Sequence, residues 1–439
     1  MELPYALIGA GPMGLCAARQ LSKYGVPFQG FELHSDVGGL WDIDNPHSTM
    51  YESAHLISSK SMTELSEFPM ADDVSVYPHH SEIRQYFRDY ADKFGLRQYY
   101  HFGACVTSTT PTDNGHWNVA WQQAGADHEQ EFAGVMIANG QLYQPNLPDI
   151  PGTFDGQLMH SCRYKSPDIF AGQRVLIVGC GNSACDIAVD AVHRAKSVAL
   201  SVRRGYHFLP KFVMGKPIDT IGGKIRLPLR LKQIVDGTIV KLLLGSPSQF
   251  GLPDPDYKLY ESHPVISSLV LHHIGHGDVQ VCKSPVAFEG QTVVFDDGTR
   301  QEFDVVILAT GYKLSFPFID RQLLNWHGAA PSFYMNVFHP ERDDLFLLGM
   351  IEAAGLGWQA RADQAEMVAL YLLAKQQAPE ALAPIQARIR KNHTMTGGMN
   401  YLKVDRMAYY VHKETYWKEL KRHIKQLRRD LSGGIGAVG

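Results

Sequence analysis

Two glycine clusters carry the chemistry-bearing pattern of this chain. Gly9, Gly11 and Gly14 stand at GxGxxG spacing, with Pro12 and Met13 between them. Gly179, Gly181 and Ala184 repeat the pattern as GxGxxA, enclosing Asn182 and Ser183. At this spacing the first glycine allows a tight turn and the second lets the backbone approach a pyrophosphate. The third position lets the following helix pack on its strand. That helix aims unpaired N–H groups and its positive end at the phosphates. What ends the next strand separates the two ligands. After the first cluster it is Glu32, an acceptor for a free ribose hydroxyl. After the second it is Arg203-Arg204, a pair suited to a 2′-phosphate. The pattern predicts an unphosphorylated, FAD-like dinucleotide first and NADP second. Two such sites in one chain suggest cofactors that pass electrons between them.

Each cluster needs a strand before it and a helix after it. Tyr5 to Ile8 predicts the first strand, Leu15 to Tyr24 its helix and Phe28 to Leu33 the next strand. Val175 to Val178, Asp186 to Val192 and Ser197 to Val202 predict the same unit again. Gly38-Gly39-Leu40-Trp41 lets the backbone lie close to a flat or charged group. His80 to Phe94 predicts an amphipathic helix with Ile83, Tyr86, Phe87 and Tyr90 on one face. Alternation over Ala104 to Thr109, Trp117 to Trp121 and Glu131 to Ala138 predicts a small antiparallel insert. It ends at Asn139-Gly140, where the chain should pass a cofactor. Pro145, Pro148 and Pro151 punctuate a linker. Tyr206 to Pro264 predicts an insert with a helix at Leu229 to Leu244, placed to cover a cleft. Strands follow at Val279 to Val281, Val286 to Phe288, Thr292 to Phe295, Phe303 to Leu308 and Leu345 to Leu348, and helices at Ala360 to Ala374 and Tyr409 to Arg429. The fold class is α/β, with two doubly wound Rossmann-like dinucleotide-binding domains. The expected FAD domain spans 1–168 and 310–439, and the NADP domain, 169–309, is inserted between them with its own insert at 206–264.

Composition excludes other classes. The chain has 439 residues and a formal charge of −4, so no basic surface argues for nucleic acid. Six scattered cysteines form no metal pattern and suit a reducing cytoplasm. The twenty histidines show no HExxH spacing, so no metal is expected. No apolar run reaches the roughly 18 residues that span a bilayer. Cys180 and Cys185 have the spacing of some flavin disulfide reductases, but five residues apart on a helix they face different ways.

Phe154-x-Gly156-x-x-x-His160-x-x-x-Tyr164 resembles the fingerprint of flavin-dependent class B monooxygenases. Tyr at its last position resembles the flavin-containing, N- and S-oxygenating branch; the Baeyer–Villiger branch has Trp. Further ordered motifs carry the resemblance: GGLW from Gly38, YES from Tyr51, SSK ending at Lys60, Asn139-Gly140, GCGNSA from Gly179, ATGY from Ala309, and Gly357-Trp358-Gln359-Ala360-Arg361. The resemblance implies a permanently bound FAD reduced by NADPH. Oxygen adds at the flavin C4a atom, and the hydroperoxide passes one oxygen atom to a soft N or S centre. Its partners would be a small amine or sulfide and O2, with no nucleic acid and no transmembrane segment; a homodimer is compatible with it. Such chemistry belongs to the cofactors, so the protein need only orient two rings and exclude water.

The resemblance also assigns site residues. FAD would meet Gly9, Gly11, Pro12, Met13, Gly14, Glu32, Gly39, Leu40, Trp41, Ser59, Val106 and Gln359. NADP would meet Tyr164, Gly179, Gly181, Asn182, Ser183, Ala184, Arg203, Arg204, Thr310, Gly311 and Tyr312. His160 reads as a hydrogen-bonded structural histidine near the domain junction. In the family the loop matching Leu56 to Lys60 reads Thr-Asn-x-Ser-Lys, and its Asn faces the flavin's reaction site. Here that position is Ile57, beside Ser58. Either His55 or Ser58 supplies the contact, or the oxygen adduct is held less well. The alternative function is then an NADPH oxidase or reductase with weak oxygenation.

Overall fold

The computed structural model describes residues 3–221, 228–353 and 355–435. Residues 1–2, 354, 436–439 and, in the 206–264 insert, 222–227 lie outside them. Two five-stranded parallel sheets organise the chain. The first runs Leu345–Leu347, Gly134–Ile137, Tyr5–Ile8, Phe28–Glu32, Tyr100–Phe102. The second runs Gln157–His160, Val305–Leu308, Arg174–Val178, Ser197–Ser201, Val279–Cys282. Both motif strands sit at the centre of their sheets and are buried along most of their length. That fits their continuous apolar composition, since a parallel strand is covered on both faces.

The duplication reaches beyond the glycine units. In each half the third parallel strand leads into a three-stranded antiparallel meander, and the next strand returns beside the motif strand. The first meander is Ala104–Pro111, Trp117–Gln123, Ala126–Phe132; the second is Pro285–Gly290, Thr292–Phe295, Arg300–Glu302. This corrects the reading of Glu131 to Ala138 as one strand of the insert. Its first residues close the meander, and Gly134–Ile137 crosses into the parallel sheet beside Tyr5–Ile8. Ala126–Phe132 was not predicted because its ADHEQE run has no apolar alternation.

Each sheet borrows an edge strand from a distant segment. Leu345–Leu347 returns to the first sheet after the second is complete. Gln157–His160, inside the segment expected to belong to the first domain, instead pairs with Val305–Leu308 of the second sheet. The chain thus enters the second sheet before residue 168. The helix Pro12–Lys23 packs on the long helix Gln359–Gln377, which in turn packs on the C-terminal helix Lys413–Ile435. Between the two halves, helix Leu229–Leu244 stands in the insert where its periodicity places it.

Candidate functional site

A cleft of about 2670 Å³ lies where the carboxyl ends of both parallel sheets meet. Ile8, Ala138 and Leu347 bring the first sheet to it, and Val178, Ser201 and Ala309 the second. Ligands of open α/β sheets bind at this end of the strands. Both glycine turns open onto this one cleft.

The two turns are built alike. Gly9 and Gly179 have φ of +110° and +126°, and a Cβ at either would strike the carbonyl of Ala138 or Ala309 in the adjacent strand. Gly11 and Gly181 begin their helices with no side-chain cap. The first N–H groups of helices Pro12–Lys23 and Asn182–Val192 therefore lack side-chain acceptors, as a dinucleotide pyrophosphate requires. A Cβ on Gly181 would meet nothing within 4 Å, so the space before it is open. Both turns fit a dinucleotide by this test.

Their second-strand ends differ as their chemistry predicts. The Glu32 carboxylate accepts the Ala10 N–H at 2.6 Å and the His34 N–H at 2.8 Å, which fixes it at the cleft wall. Burial raises its pKa, and those two N–H groups oppose the rise. Arg203 and Arg204 line the cleft and form no ion pair among the described residues. Two unpaired guanidinium groups beside an open helix N-terminus suit a phosphate.

Three seams hold the halves around the cleft. Thr310 Oγ1 donates to the Asn146 carbonyl at 2.6 Å, and Asn146 Nδ2 donates back to the Thr310 carbonyl at 3.3 Å. His160 lies buried beside this crossing. Its Nε2–H reaches the Gly311 carbonyl at 3.0 Å, and its Nδ1 accepts the Cys162 N–H at 3.2 Å. Both ring nitrogens are thereby used, and burial lowers its pKa, so it is a neutral structural strut. At the third seam, Tyr51 donates to Asp186 at 3.1 Å and Tyr164 to Asp190 at 2.8 Å. These bonds tie the loop before Ile57 and the fingerprint linker to the second nucleotide helix.

Ile57 and Ser58 both line the cleft. Thr63 Oγ1 donates to the Ser59 carbonyl at 2.8 Å, so the 2.7 Å contact of Ser58 Oγ with Thr63 Oγ1 uses the Ser58 proton. Ser58 then offers the cleft only lone pairs. His55 Nδ1 donates to the Ser53 carbonyl at 2.7 Å, leaving Nε2 as an acceptor. Burial and the neighbouring His79 lower the His55 pKa, which keeps it neutral. Neither side chain presents a donor where an Asn amide would.

Most predicted contacts line the cleft: Gly9, Gly11, Pro12, Met13, Glu32, Gly39, Leu40, Trp41 and Val106 on one side, and Gly179, Gly181, Asn182, Ser183, Ala184, Arg203, Arg204, Thr310, Gly311 and Tyr312 on the other. Four do not line it. Gly14 is packed on Gly9, where a Cβ would strike the Gly9 carbonyl. Tyr164 is fully buried on Asp190 and stacked on Phe170. Ser59 turns away, its N–H and Oγ both donating to Asp219 of the insert, at 2.7 and 2.9 Å. Gln359 starts its helix facing outward, accepting the Ser66 N–H and donating to Asp363. Sequence reasoning missed the cleft residues Asp219, Lys232, His263, Arg406 and Tyr410. They come from the insert and the C-terminal segment, which carry no local motif. The six cysteines are free, so Cys180 and Cys185 form no disulfide.

Comparison with known proteins agrees with this geometry. The profile described as "Flavin-binding monooxygenase-like" matches residues 4–424. Rabbit (Oryctolagus cuniculus) flavin-containing monooxygenase 5 is 33% identical over 373 residues, 80% of this chain and 69% of that protein. Dimethylaniline monooxygenase [N-oxide-forming] 2 of Macaca mulatta is 32% identical over 378 residues, 81% of this chain and 70% of that protein. Among solved structures, an open form of cyclohexanone monooxygenase superposes with a TM-score of 0.75 at 18% identity, covering 99% of this chain and 98% of that one. Tmm from Pelagibacter sp. strain HTCC7211 gives 0.69 at 20% identity, covering 97% and 90%. No helix among the described residues is long and apolar enough to cross a membrane. Two dinucleotide turns on one cleft, an acid at the first and arginines at the second, and a family match over nearly the whole length lead to one conclusion: this chain belongs to the flavin-binding monooxygenase family and is an FAD- and NADPH-dependent monooxygenase.

Proposed function

We propose that this enzyme oxygenates a soft nitrogen or sulfur centre of a small amine or sulfide. NADPH, a proton, O2 and substrate give NADP+, water and the N- or S-oxide. The observation that carries this reading is the single cleft shared by the two unlike turns, beside a fingerprint linker that ends in Tyr164. When bound, FAD supplies the oxygen-activating chemistry and NADPH the hydride. The chain's own residues bind and orient. The Gly9–Gly14 turn, with Glu32, would hold FAD at an unphosphorylated ribose. The Gly179–Ala184 turn would hold NADP at its pyrophosphate and Arg203-Arg204 at its 2′-phosphate. Trp41 and Trp358, 6.2 Å apart edge to face, both line the cleft. The free cysteines suit a working place in the cytoplasm.

A second reading has its own observation. Ile57 stands in the cleft without a hydrogen-bonding side chain, and the Ser58 and His55 side chains present no donor. On that reading reduced enzyme passes electrons to O2 and releases peroxide. One experiment separates the two. Purified enzyme, NADPH and labelled oxygen are mixed with small amines and sulfides, and labelled product and peroxide are counted against NADPH. Label in the product supports oxygenation. Peroxide equal to NADPH, whatever substrate is added, favours the oxidase. Ile57→Asn restores an amide donor and is expected to lower the peroxide fraction several-fold. An unchanged fraction would show that a neighbour already serves.

A further inference from the structure

Much of the apolar surface that this protein leaves open is gathered on one segment. Nine of the sixteen exposed large apolar residues among the described residues lie between Phe212 and Leu243, in the insert. The others, among them Leu33, Val76, Leu158 and Leu269, are scattered over the chain, which is ordinary for a protein surface. A gathered set is not ordinary, and marks a surface that meets something apolar.

Helix Leu229–Leu244 carries six of the nine. Its one buried residue is Gln233, which donates to the Leu259 carbonyl at 3.0 Å. Leu229, Lys232, Asp236, Ile239, Val240 and Leu243 recur every three or four residues along one face and line the cleft. Leu231, Ile234, Val235 and Leu242 recur at helical spacing along another, outside the cleft. Of these, Ile234 is 64% exposed and Leu242 81%. Thr238, between them, donates its hydroxyl to the Ile234 carbonyl at 2.8 Å and so adds no unsatisfied donor to the stripe. A helix that is apolar on two faces is normally enclosed on both. This one is open on its outer face.

The charges sort the same way. Asp236, the one acid of the helix, lies on the cleft side, where it accepts from Lys232 and, at 2.6 Å, from the Tyr260 hydroxyl. Arg230 and Lys241 stay outside the cleft, exposed and without an ion pair among the described residues. Four and seven residues from Ile234, they share its row on the helix. Their long stems can lie along apolar surface while the charged heads reach past it. A second copy suits this face poorly. A symmetric pairing would set Arg230 and Lys241 against the same cations, and the scattered apolar residues elsewhere offer no matching patch among the described residues. An apolar stripe with cations along it, on a chain of formal charge −4, suits the boundary between acyl chains and anionic headgroups. The helix has 16 residues and so reaches only about 24 Å, too short to cross the roughly 30 Å hydrocarbon core.

We propose that the outer face of helix Leu229–Leu244 docks on an anionic lipid bilayer. The helix lies in the plane of the interface, with Leu231, Ile234, Val235 and Leu242 against the acyl chains and Arg230 and Lys241 at the phosphates. Docking needs no turnover and is independent of which centre the enzyme oxygenates.

The test sediments purified, FAD-loaded enzyme with vesicles of phosphatidylcholine alone, or of phosphatidylcholine and phosphatidylglycerol at about three to one. Binding to the mixed vesicles should be about ten-fold stronger or more, and about 0.5 M salt should release most of it. Ile234→Glu and Leu242→Glu should each weaken binding about ten-fold or more, because a charge replaces a side chain that leaves water on docking. Arg230→Gln and Lys241→Gln should each weaken it about five-fold on the mixed vesicles. Ile234→Leu should bind as wild type does. All four side chains are exposed and outside the cleft, so flavin absorbance and NADPH oxidation without vesicles should match wild type in every variant. That separates lost docking from lost fold. No sedimentation with either vesicle would overturn the proposal. So would binding that Leu242→Glu leaves intact. A dimer in analytical ultracentrifugation that Ile234→Glu dissociates would also overturn it, by giving the face to a second copy.

Discussion

Gly14 and Ala184 occupy the same place in the two turns, and the difference between them is steric. A methyl at Gly14 would strike the Gly9 carbonyl, so only hydrogen fits there; the second turn holds a buried Ala184 methyl. Gly14 is packed away from the cleft, whereas Ala184 is buried and still lines it. Arg203 is the opposite case. It is exposed at the cleft wall without an ion pair among the described residues, and a 2′-phosphate would complete it. Arg203→Ala should raise the NADPH KM by about ten-fold or more and change NADH little, since a charge-assisted contact contributes roughly 1.5–3 kcal/mol. Steady-state kinetics with both nucleotides checks this, and equal losses for the two would refute the assignment.

At the scale of elements, the loop Tyr51 to Ser59 is gripped from two sides. Tyr51 and Ser53 reach Asp186 and Asp190 of the second nucleotide helix, and Ser59 reaches Asp219 of the insert. The first grip titrates. Burial pushes Asp186 up to about 6, with Lys211 and the Tyr51 hydroxyl opposing. A carboxyl raised in the fold favours folding while it is protonated. That benefit is full below about pH 4 and is lost as pH climbs through 6. Above neutrality the fold carries an ionised buried group at a cost of up to about 3 kcal/mol. Asp186→Asn keeps an acceptor for Tyr51 and never ionises. Its melting temperature should match wild type near pH 4 and exceed it near pH 8. Parallel curves at both pH values would show that Asp186 titrates as if exposed. The same helix holds Tyr164: the fingerprint's last residue secures the linker to Asp190.

Across the whole molecule, the cleft exists only because distant segments close it. The insert adds Asp219, Lys232 and His263, and the C-terminal segment adds Arg406 and Tyr410. Asp219 is the insert's hold on the loop that carries Ile57, through two hydrogen bonds to one carboxylate. Asp219→Ala should loosen that cover and let water in, raising peroxide per NADPH at least two-fold with the NADPH KM unchanged. The peroxide-to-NADPH ratio reads this directly. An unchanged ratio would mean the insert seals the cleft by other contacts, among them Tyr77, which donates to the Lys211 carbonyl.

Local chemistry made much of this legible beforehand. Tyr5–Ile8 and Leu229–Leu244 form where apolar periodicity and turn residues place them, because those signals act within one element. The glycine spacings, Glu32 and Arg203-Arg204 announce two nucleotides for the same reason: turn, helix start and strand end lie within some thirty residues. Pairing decided the rest. Ala126–Phe132 is a strand because Trp117–Gln123 offers it an edge, although Asp127 to Glu131 are all polar and mostly exposed. Gln157–His160 joins the second sheet because Val305–Leu308 waits beside it. Gln359 and Ser59 carry motif positions yet turn to Ser66, Asp363 and Asp219, partners far away in sequence. The sequence by itself determined which cofactors this protein is made for. Only the tertiary structure decided which side chains meet in the cleft, because that depends on contacts between segments hundreds of residues apart.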